Sequence, residues 1–160
     1  MQIGDNTNLF DFTYVGNVAH GHLLAAHRLL ATAKASTNPP DHERVDGEVF
    51  FITNDSPVYF WDFARSIFRA AGDDNGIKGV WTMSPGLGNT LGFFSEVFAS
   101  IVRKQATFTT QKVTMTTMTR YYNITKAKRV LGYMPLWTLQ EGVDRGVAWF
   151  LEQEGQQKTS

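Results

Sequence analysis

Tyr122-Asn-Ile-Thr-Lys126 sets a phenol and an ammonium four positions apart. Such groups converge on one face only if both are helical. Tyr122 reads as the end of an extended segment and Lys126 as part of the helix that follows, so this spacing predicts no acid–base pair. Gly86-Leu-Gly88-Asn-Thr-Leu-Gly92 follows a candidate strand and opens a candidate helix. At such a junction backbone N–H groups can receive phosphate. The stretch is one residue too long for Gly-x-Gly-x-x-Gly. No carboxylate stands about 20 positions on, and after Glu96 the next acidic residue is Glu141. A flexible loop is predicted there, ahead of an apolar helix. His20, His22 and His27 share one candidate helix, but spacings of two and five residues miss the i, i+4 pairing that would let two imidazoles meet. No metal site is expected, and His22, beside a Val18/Ala25/Leu29 stripe, is expected to be half-buried and hydrogen-bonded.

The elements that must position such groups follow from periodicity and punctuation. Val15, Val18, Ala19, Ala25, Ala26, Leu29 and Leu30 recur at helical spacing, which predicts a helix from about Val15 to Ala33. Ala35–Gly47 reads as a polar linker, in which Pro39-Pro40 prevents continuation of the helix. Glu48–Thr53 is a short apolar run, the pattern of a strand buried on both faces of a parallel sheet. Ser56 and Pro57 are placed to cap and begin a helix carrying Phe60, Phe63, Ala64, Ile67, Phe68 and Ala71 on one face. A strand is predicted at Gly79–Met83, a loop at Ser84–Asn89 and an apolar helix at Leu91–Val102. Thr-rich Thr107–Thr119 suits extended structure. A short helix over Ile124–Leu131 stops at Gly132. Thr138-Leu-Gln-Glu141 is a capping box opening a last helix with Leu139, Val143, Val147, Phe150 and Leu151 on one stripe. Gly155–Ser160 reads as a frayed tail.

Composition narrows the classes. Hydrophobic residues make up 42% and aromatics 13%, a globular balance that excludes disorder. The absence of cysteine excludes disulfides and thiolate chemistry. Met1-Gln-Ile-Gly-Asp5 has neither the basic nor the apolar region of a secretory signal, and Leu91–Val102 is too short to span a bilayer. Formal net charge is zero, yet between Glu96 and Glu141 there is no acidic residue, while Arg103, Lys104, Lys112, Arg120, Lys126, Lys128 and Arg129 fall in that interval. The region could face anionic lipid or a ligand phosphate, or form a solvated surface balanced by the acidic Asp41–Asp74 part. No nucleic-acid recognition motif accompanies the charge, and no nucleic-acid partner is expected.

Asn8-Leu-Phe-Asp-Phe-Thr-Tyr-Val-Gly-Asn-Val-Ala-His-Gly-His-Leu-Leu-Ala-Ala26 resembles the segment that precedes the substrate domain in extended short-chain dehydrogenases, and within them the 3-beta-hydroxysteroid dehydrogenase/isomerase family. Val49–Phe63 looks like that family's last core strand and following helix. Tyr122–Pro135, with Lys-Ala followed by Leu-Gly-Tyr-x-Pro, is similar to a C-terminal element shared with sugar-nucleotide epimerases. The resemblance implies an α/β fold: the C-terminal portion of an extended short-chain dehydrogenase, with the last Rossmann elements and a small, mainly helical substrate domain. Residues 1–56 would end the Rossmann-like core, 57–154 would form the substrate-binding domain and 155–160 the tail. It implies NAD(P)-dependent oxidation of the 3-beta-hydroxyl of a 4-carboxysterol, and association with the endoplasmic reticulum membrane or a cytoplasmic location. In the family a glycine-rich turn receives the cofactor pyrophosphate, and a helical Tyr-x-x-x-Lys handles the hydroxyl proton. Neither is expected among these residues, so the chain alone is expected to hold no NAD or NADP and to lack activity. By the same resemblance Asn8, Phe10, Phe12, Tyr14 and Asn17 border the substrate cleft, where amides and aromatics would orient a sterol. Alternatively Phe10, Phe12 and Tyr14 pack one face of a strand, and Asn17 caps the helix. Leu91–Val102 would roof the sterol, touch a membrane surface or be ordinary core. Other readings are a non-catalytic fragment that binds sterol, membrane or a partner chain, and a nucleotide-sugar epimerase or dehydratase relative. An unpaired Val49–Ile52 strand edge would favour self-association.

Overall fold

In the computed structural model, which describes residues 1–37 and 39–159, the chain is a mixed helix and strand protein. It divides into two compact units, Met1–Phe10 with Val58–Arg120, and Asp11–Pro57 with Tyr121–Ser160. The expected serial division at 56/57 lies beside the crossover at 57/58. The units also change over at 10/11 and at 120/121, so both contain segments distant in sequence.

The first unit holds short strands and amphipathic helices. β1 (Gln2–Ile3) pairs in parallel with β4 (Thr82–Met83), and β2 (Leu9–Phe10) pairs antiparallel with β3 (Val58–Tyr59). Phe10 also forms a parallel bridge to Arg120. α2 (Phe60–Ala70) starts three residues later than expected, and Ser56 does not cap it. The Asn6 side chain does that work from a distance: its Oδ1 accepts the Trp61 backbone N–H at 2.8 Å. α3 (Pro85–Ile101) begins on Ser84, whose hydroxyl accepts from Leu87 N, so the predicted loop at Ser84–Asn89 is the first turn of this helix. Gly88 and Gly92 are its buried inner face. A Cβ on Gly92 would lie 2.8 Å from Thr110 N and 3.0 Å from Thr109 C, so glycine is what permits the next helix to approach.

That next helix, α4 (Thr110–Thr117), replaces the extended structure expected from its threonines. The Thr109 hydroxyl accepts from Lys112 N, and the Glu96 carboxylate accepts from Thr110 N at 2.9 Å, placing a negative charge at the helix N-terminus. Thr114, Thr116 and Thr117 direct their hydroxyls back to carbonyls three or four residues earlier. Local propensity against helix is thereby overridden by contacts that need the fold. Val113 is fully buried, with Ile3, Met83 and Ala99 also inside.

The second unit is built on α1 (Val15–Lys34) and α5 (Leu139–Thr159). A 3-10 turn lies at Asp41–Glu43, and residues 125–131 form a helix whose end, Ala127–Leu131, is π-wound. Gly132 closes it at φ +71, and the Tyr133 N–H reaches the Ala127 carbonyl at 3.2 Å. The core joins Val45, Ile124, Ala127, Val130, Leu131 and Tyr133, with Leu24, Ala25, Phe50 and Ile52 packed on it. The buried positions of α1 are Asn17 and Gly21, whereas Val15, Leu23 and Leu30 are exposed. The inward face is therefore Asn17/Gly21/Leu24/Ala25, which shares Ala25 with the expected stripe but is otherwise rotated from it. Gly21 faces Ile52, whose side-chain carbons lie 3.0–3.1 Å from where a Cβ would stand.

The segment 48–54 departs most from expectation. It joins no ladder among the described residues, and Val49 and Phe51 are exposed while Phe50 and Ile52 pack inward. A strand buried on both faces needs paired neighbours on each side; here the segment packs by one face only. The Thr138–Glu141 capping box forms as expected, with Thr138 N to Glu141 Oε2 at 2.7 Å and Glu141 N to Thr138 Oγ1 at 3.2 Å. The backbone of α5 continues helically to Thr159 where a frayed tail was expected; Ser160 lies outside the described residues.

Candidate functional site

The residues expected near substrate belong to different units: Asn8 and Phe10 to the first, Phe12, Tyr14 and Asn17 to the second. In the first unit Asn8 is buried, and its amide donates to the carbonyls of Thr116 and Met118 at 3.2 and 3.1 Å. It ties β2 to the end of α4. Phe10 meets Phe60 edge to face at 5.6 Å, with the Arg120 guanidinium 5.9 Å from its ring.

In the second unit a buried amide pair organises the entry to α1. Asn17 is completely enclosed. Its Nδ2 donates to Asn54 Oδ1 at 2.9 Å and to the Trp137 carbonyl at 2.8 Å, while its Oδ1 accepts from Leu136 N at 2.9 Å and Trp137 N at 3.1 Å. Asn54 Oδ1 also accepts the Tyr14 N–H at 2.8 Å, and Asn54 Nδ2 donates to the Trp137 carbonyl at 3.1 Å. Asn17 is thus no helix cap; Tyr14 holds that position without a side-chain cap. The Tyr14 ring stands edge-on to Trp137 at 5.7 Å and lies over Gly142, where a Cβ would come within 2.8 Å of it. Phe12 is half-buried.

Sequence reasoning did not single out Asp11, Asn54, Tyr133 or Trp137. Asp11 is buried, and neither carboxylate oxygen has a partner at full hydrogen-bond geometry. Burial raises its pKa, and the charge of Asp55 adds to that; the nearby Thr53 hydroxyl and Tyr122 backbone favour the charged form but do not prevail. The signal was a carboxylate standing between Phe10 and Phe12 in an otherwise apolar segment. The buried Tyr133 hydroxyl donates to the Thr53 carbonyl at 2.7 Å. Burial, and then the charges of Asp55 and Asp11, push its pKa to about 12, so it stays a donor.

The apparent catalytic pair dissolves in the structure. Tyr122 precedes the helix and stacks on Phe51 at 4.6 Å. Lys126 donates to Glu48 Oε2 at 2.6 Å and to the Val49 carbonyl at 3.0 Å. His22 hydrogen-bonds the Val18 carbonyl through Nδ1 at 2.8 Å, but it is exposed and not half-buried, because its face of α1 points away from the core. Among the described residues no cluster of His, Asp and Glu could hold a metal.

Residues 1–81 match the 3-beta hydroxysteroid dehydrogenase/isomerase family. The chain belongs to that family. It is 42% identical over 94% of its length to sterol-4-alpha-carboxylate 3-dehydrogenase, decarboxylating, of Saccharomyces cerevisiae, covering 41% of that protein. The corresponding human enzyme is 34% identical over 92% of this chain, which covers 37% of it. An Arabidopsis thaliana 3beta-hydroxysteroid-dehydrogenase/decarboxylase (isoform 2) is 34% identical over 92%, and the chain covers 25% of that relative. The chain therefore spans about two fifths or less of the length of these relatives. The crystal structure of gox2253 shares the fold, with a TM-score of 0.59 at 20% identity over 91% of this chain and 38% of that one.

Family dehydrogenases use NAD(P), and the Gly86–Gly92 stretch does not fit its pyrophosphate. The glycine-rich stretch that could imitate a cradle is helical, and Gly88 and Gly92 face Val113 and the Thr109–Thr110 backbone, not open space. No step through the cofactor is assigned to these residues.

Proposed function

We propose that this chain is the C-terminal, substrate-side portion of an enzyme that oxidises the 3-beta-hydroxyl of a 4-carboxysterol with NAD or NADP, the resulting beta-keto acid then losing carbon dioxide. The observation that carries this reading is kinship over almost the whole chain with sterol-4-alpha-carboxylate 3-dehydrogenases, at 42% identity for the yeast protein. Residues of this chain would orient and enclose the sterol, while the pyrophosphate site and the acid–base pair come from elsewhere in the complete enzyme. The second unit would then be the remainder of the Rossmann-like core and the first unit the substrate domain.

Within this reading Phe10, Phe12 and Tyr14 supply apolar contact, and Asn8 and Asn17 hold the segment that carries them. Asn17 has its whole hydrogen-bonding capacity engaged inside its own unit, and Asn8 its amide N–H donors, which supports a positioning role over direct contact. On α3, Leu91, Phe94, Phe98 and Ile101 form an exposed apolar stripe. It supports a surface that a sterol or the edge of a bilayer would cover, consistent with residence at the endoplasmic reticulum membrane. No helix among the described residues is long and apolar enough to cross a membrane. The exposed apolar residues of each unit, the α3 stripe in the first and Val49 with Phe51 in the second, support self-association of the isolated chain, readable as a concentration-dependent sedimentation coefficient.

A chimera tests the proposal. This chain replaces the matching stretch of the yeast relative, and the purified protein is given a 4-alpha-carboxysterol and NAD or NADP. The expected products are reduced cofactor and the decarboxylated 3-ketosterol. A chimera that melts cooperatively and binds cofactor, yet turns over only other 3-beta-hydroxysteroids, would remove the carboxysterol assignment.

A further inference from the structure

From the second unit alone, and independently of the dehydrogenase reading, we infer that an open groove along the C-terminal half of α1 binds a phosphomonoester through Arg28 and Arg129. The groove has a volume of about 610 Å³, within the range of small-molecule clefts. One wall is the helix face Arg28/Ala31/Thr32, at three- and four-residue spacing, continued by Ala35 just past the helix end. The 3-10 turn brings His42 and Glu43 to the rim, and the core residues Val45 and Val130 reach the floor. Arg129 enters from the 125–131 helix.

The electrostatics of this unit leave those two guanidiniums to the groove. Arg44 is paired with Asp46 and Asp41, Lys126 with Glu48, and Lys128 with Asp55. Arg129 makes a contact of 3.5 Å from Nη2 to the His42 carbonyl, and Arg28 has neither hydrogen bond nor ion pair among the described residues. The lining holds a single carboxylate, Glu43, whose Oε1 lies 3.7 Å from His42 Nε2. A locally positive groove therefore persists in a chain of zero formal charge. Guanidinium donors arranged as a planar fork suit phosphate oxygens, and the alanine, proline and valine surface beside them suits an apolar substituent on the same ligand. Arg28 stands 14 positions after Tyr14, roughly 20 Å along the helix, so the groove is separate from the expected substrate-proximal residues.

The test is calorimetric titration of the full chain with glycerol 3-phosphate, alongside flotation with phosphatidylcholine vesicles with and without phosphatidic acid. Saturable binding of the soluble ester indicates a small metabolite, and binding only to phosphatidic acid vesicles indicates a lipid headgroup; either supports the site. Arg28→Ala and Arg129→Ala should each weaken binding about tenfold, the loss of one charge-assisted contact. Lys34→Ala, in the last turn of the same helix but outside the groove, should change it less than about twofold by the same measure. Arg28→Lys and Arg129→Lys keep the charge without the fork; they cover the case in which an alanine variant fails to fold and should also bind more weakly. Absence of binding by both probes, or equal losses in Lys34→Ala and the arginine variants, would overturn the inference.

Discussion

Replacing Asn17 by alanine measures how far the second unit depends on one buried amide. The substitution removes four hydrogen bonds, but not all of their partners become orphans. Asn54 Oδ1 still accepts from Tyr14 N, and the Trp137 carbonyl still accepts from Asn54 Nδ2. The Leu136 and Trp137 N–H groups lose the acceptor they share. A buried donor left without a partner costs about 1–3 kcal/mol. Leu136 itself is 58% exposed, so water can reach part of the vacated space and the lower half of that range applies. The expected destabilisation is about 2–4 kcal/mol, a large share of the roughly 5–15 kcal/mol that holds a domain folded. Urea titration followed by far-UV circular dichroism should show the midpoint falling by about 1–2 M, taking a slope near 2 kcal/mol per M. Because the chain divides into two units, amide hydrogen exchange at Leu136 and Trp137 localises the effect, and both amides should lose protection. A loss below about 0.5 kcal/mol with protection retained would refute the reasoning, since it would show that water replaces the amide at no cost.

Glycine substitutions should split by location. Gly92→Ala forces a methyl against the backbone of Thr109 and Thr110 and should cost roughly 1–3 kcal/mol. Gly146→Ala, in α5 with nothing near its missing Cβ, should stabilise by about 0.5–1 kcal/mol; thermal melts in which Gly92→Ala is the more stable of the two would contradict the packing of α3 on α4. Asp11→Asn should raise the melting temperature at pH 7 and much less near pH 3. A carboxyl whose folded pKa is raised has no penalty while both states are protonated and loses stability as pH climbs through the folded value, so the variant and parent curves should converge on the acid side. A constant difference across pH would show that the carboxyl is not the cause. Tyr133→Phe leaves the Thr53 carbonyl without its buried donor and should cost about 1–2 kcal/mol by denaturant titration, with an unchanged midpoint counting against the contact.

What the sequence determined by itself was whatever is carried by neighbours a few positions apart, together with kinship. The limits of α1, the stop at Gly132 and the reciprocal Thr138–Glu141 cap were legible, because a helix start or stop is decided within a turn or two of chain. The family followed from the residues beginning at Asn8, since similarity along the chain needs no knowledge of contacts. Tertiary structure decided the rest. Hydropathy assigns Asn17 to the surface, yet it is fully enclosed because Asn54 and the 136–137 backbone, far away in sequence, satisfy every bond it can make. The threonines of α4 became helical because Glu96 and the glycine face of α3 meet them. Val49–Ile52 carries the pattern of a doubly buried strand but packs by one face, since pattern states an affinity for burial and cannot supply the strands that would complete it. Tyr122 and Lys126 show the same limit. That they do not share a helix was legible from the sequence, but that the ammonium is held by a carboxylate depended on Glu48, 78 positions away.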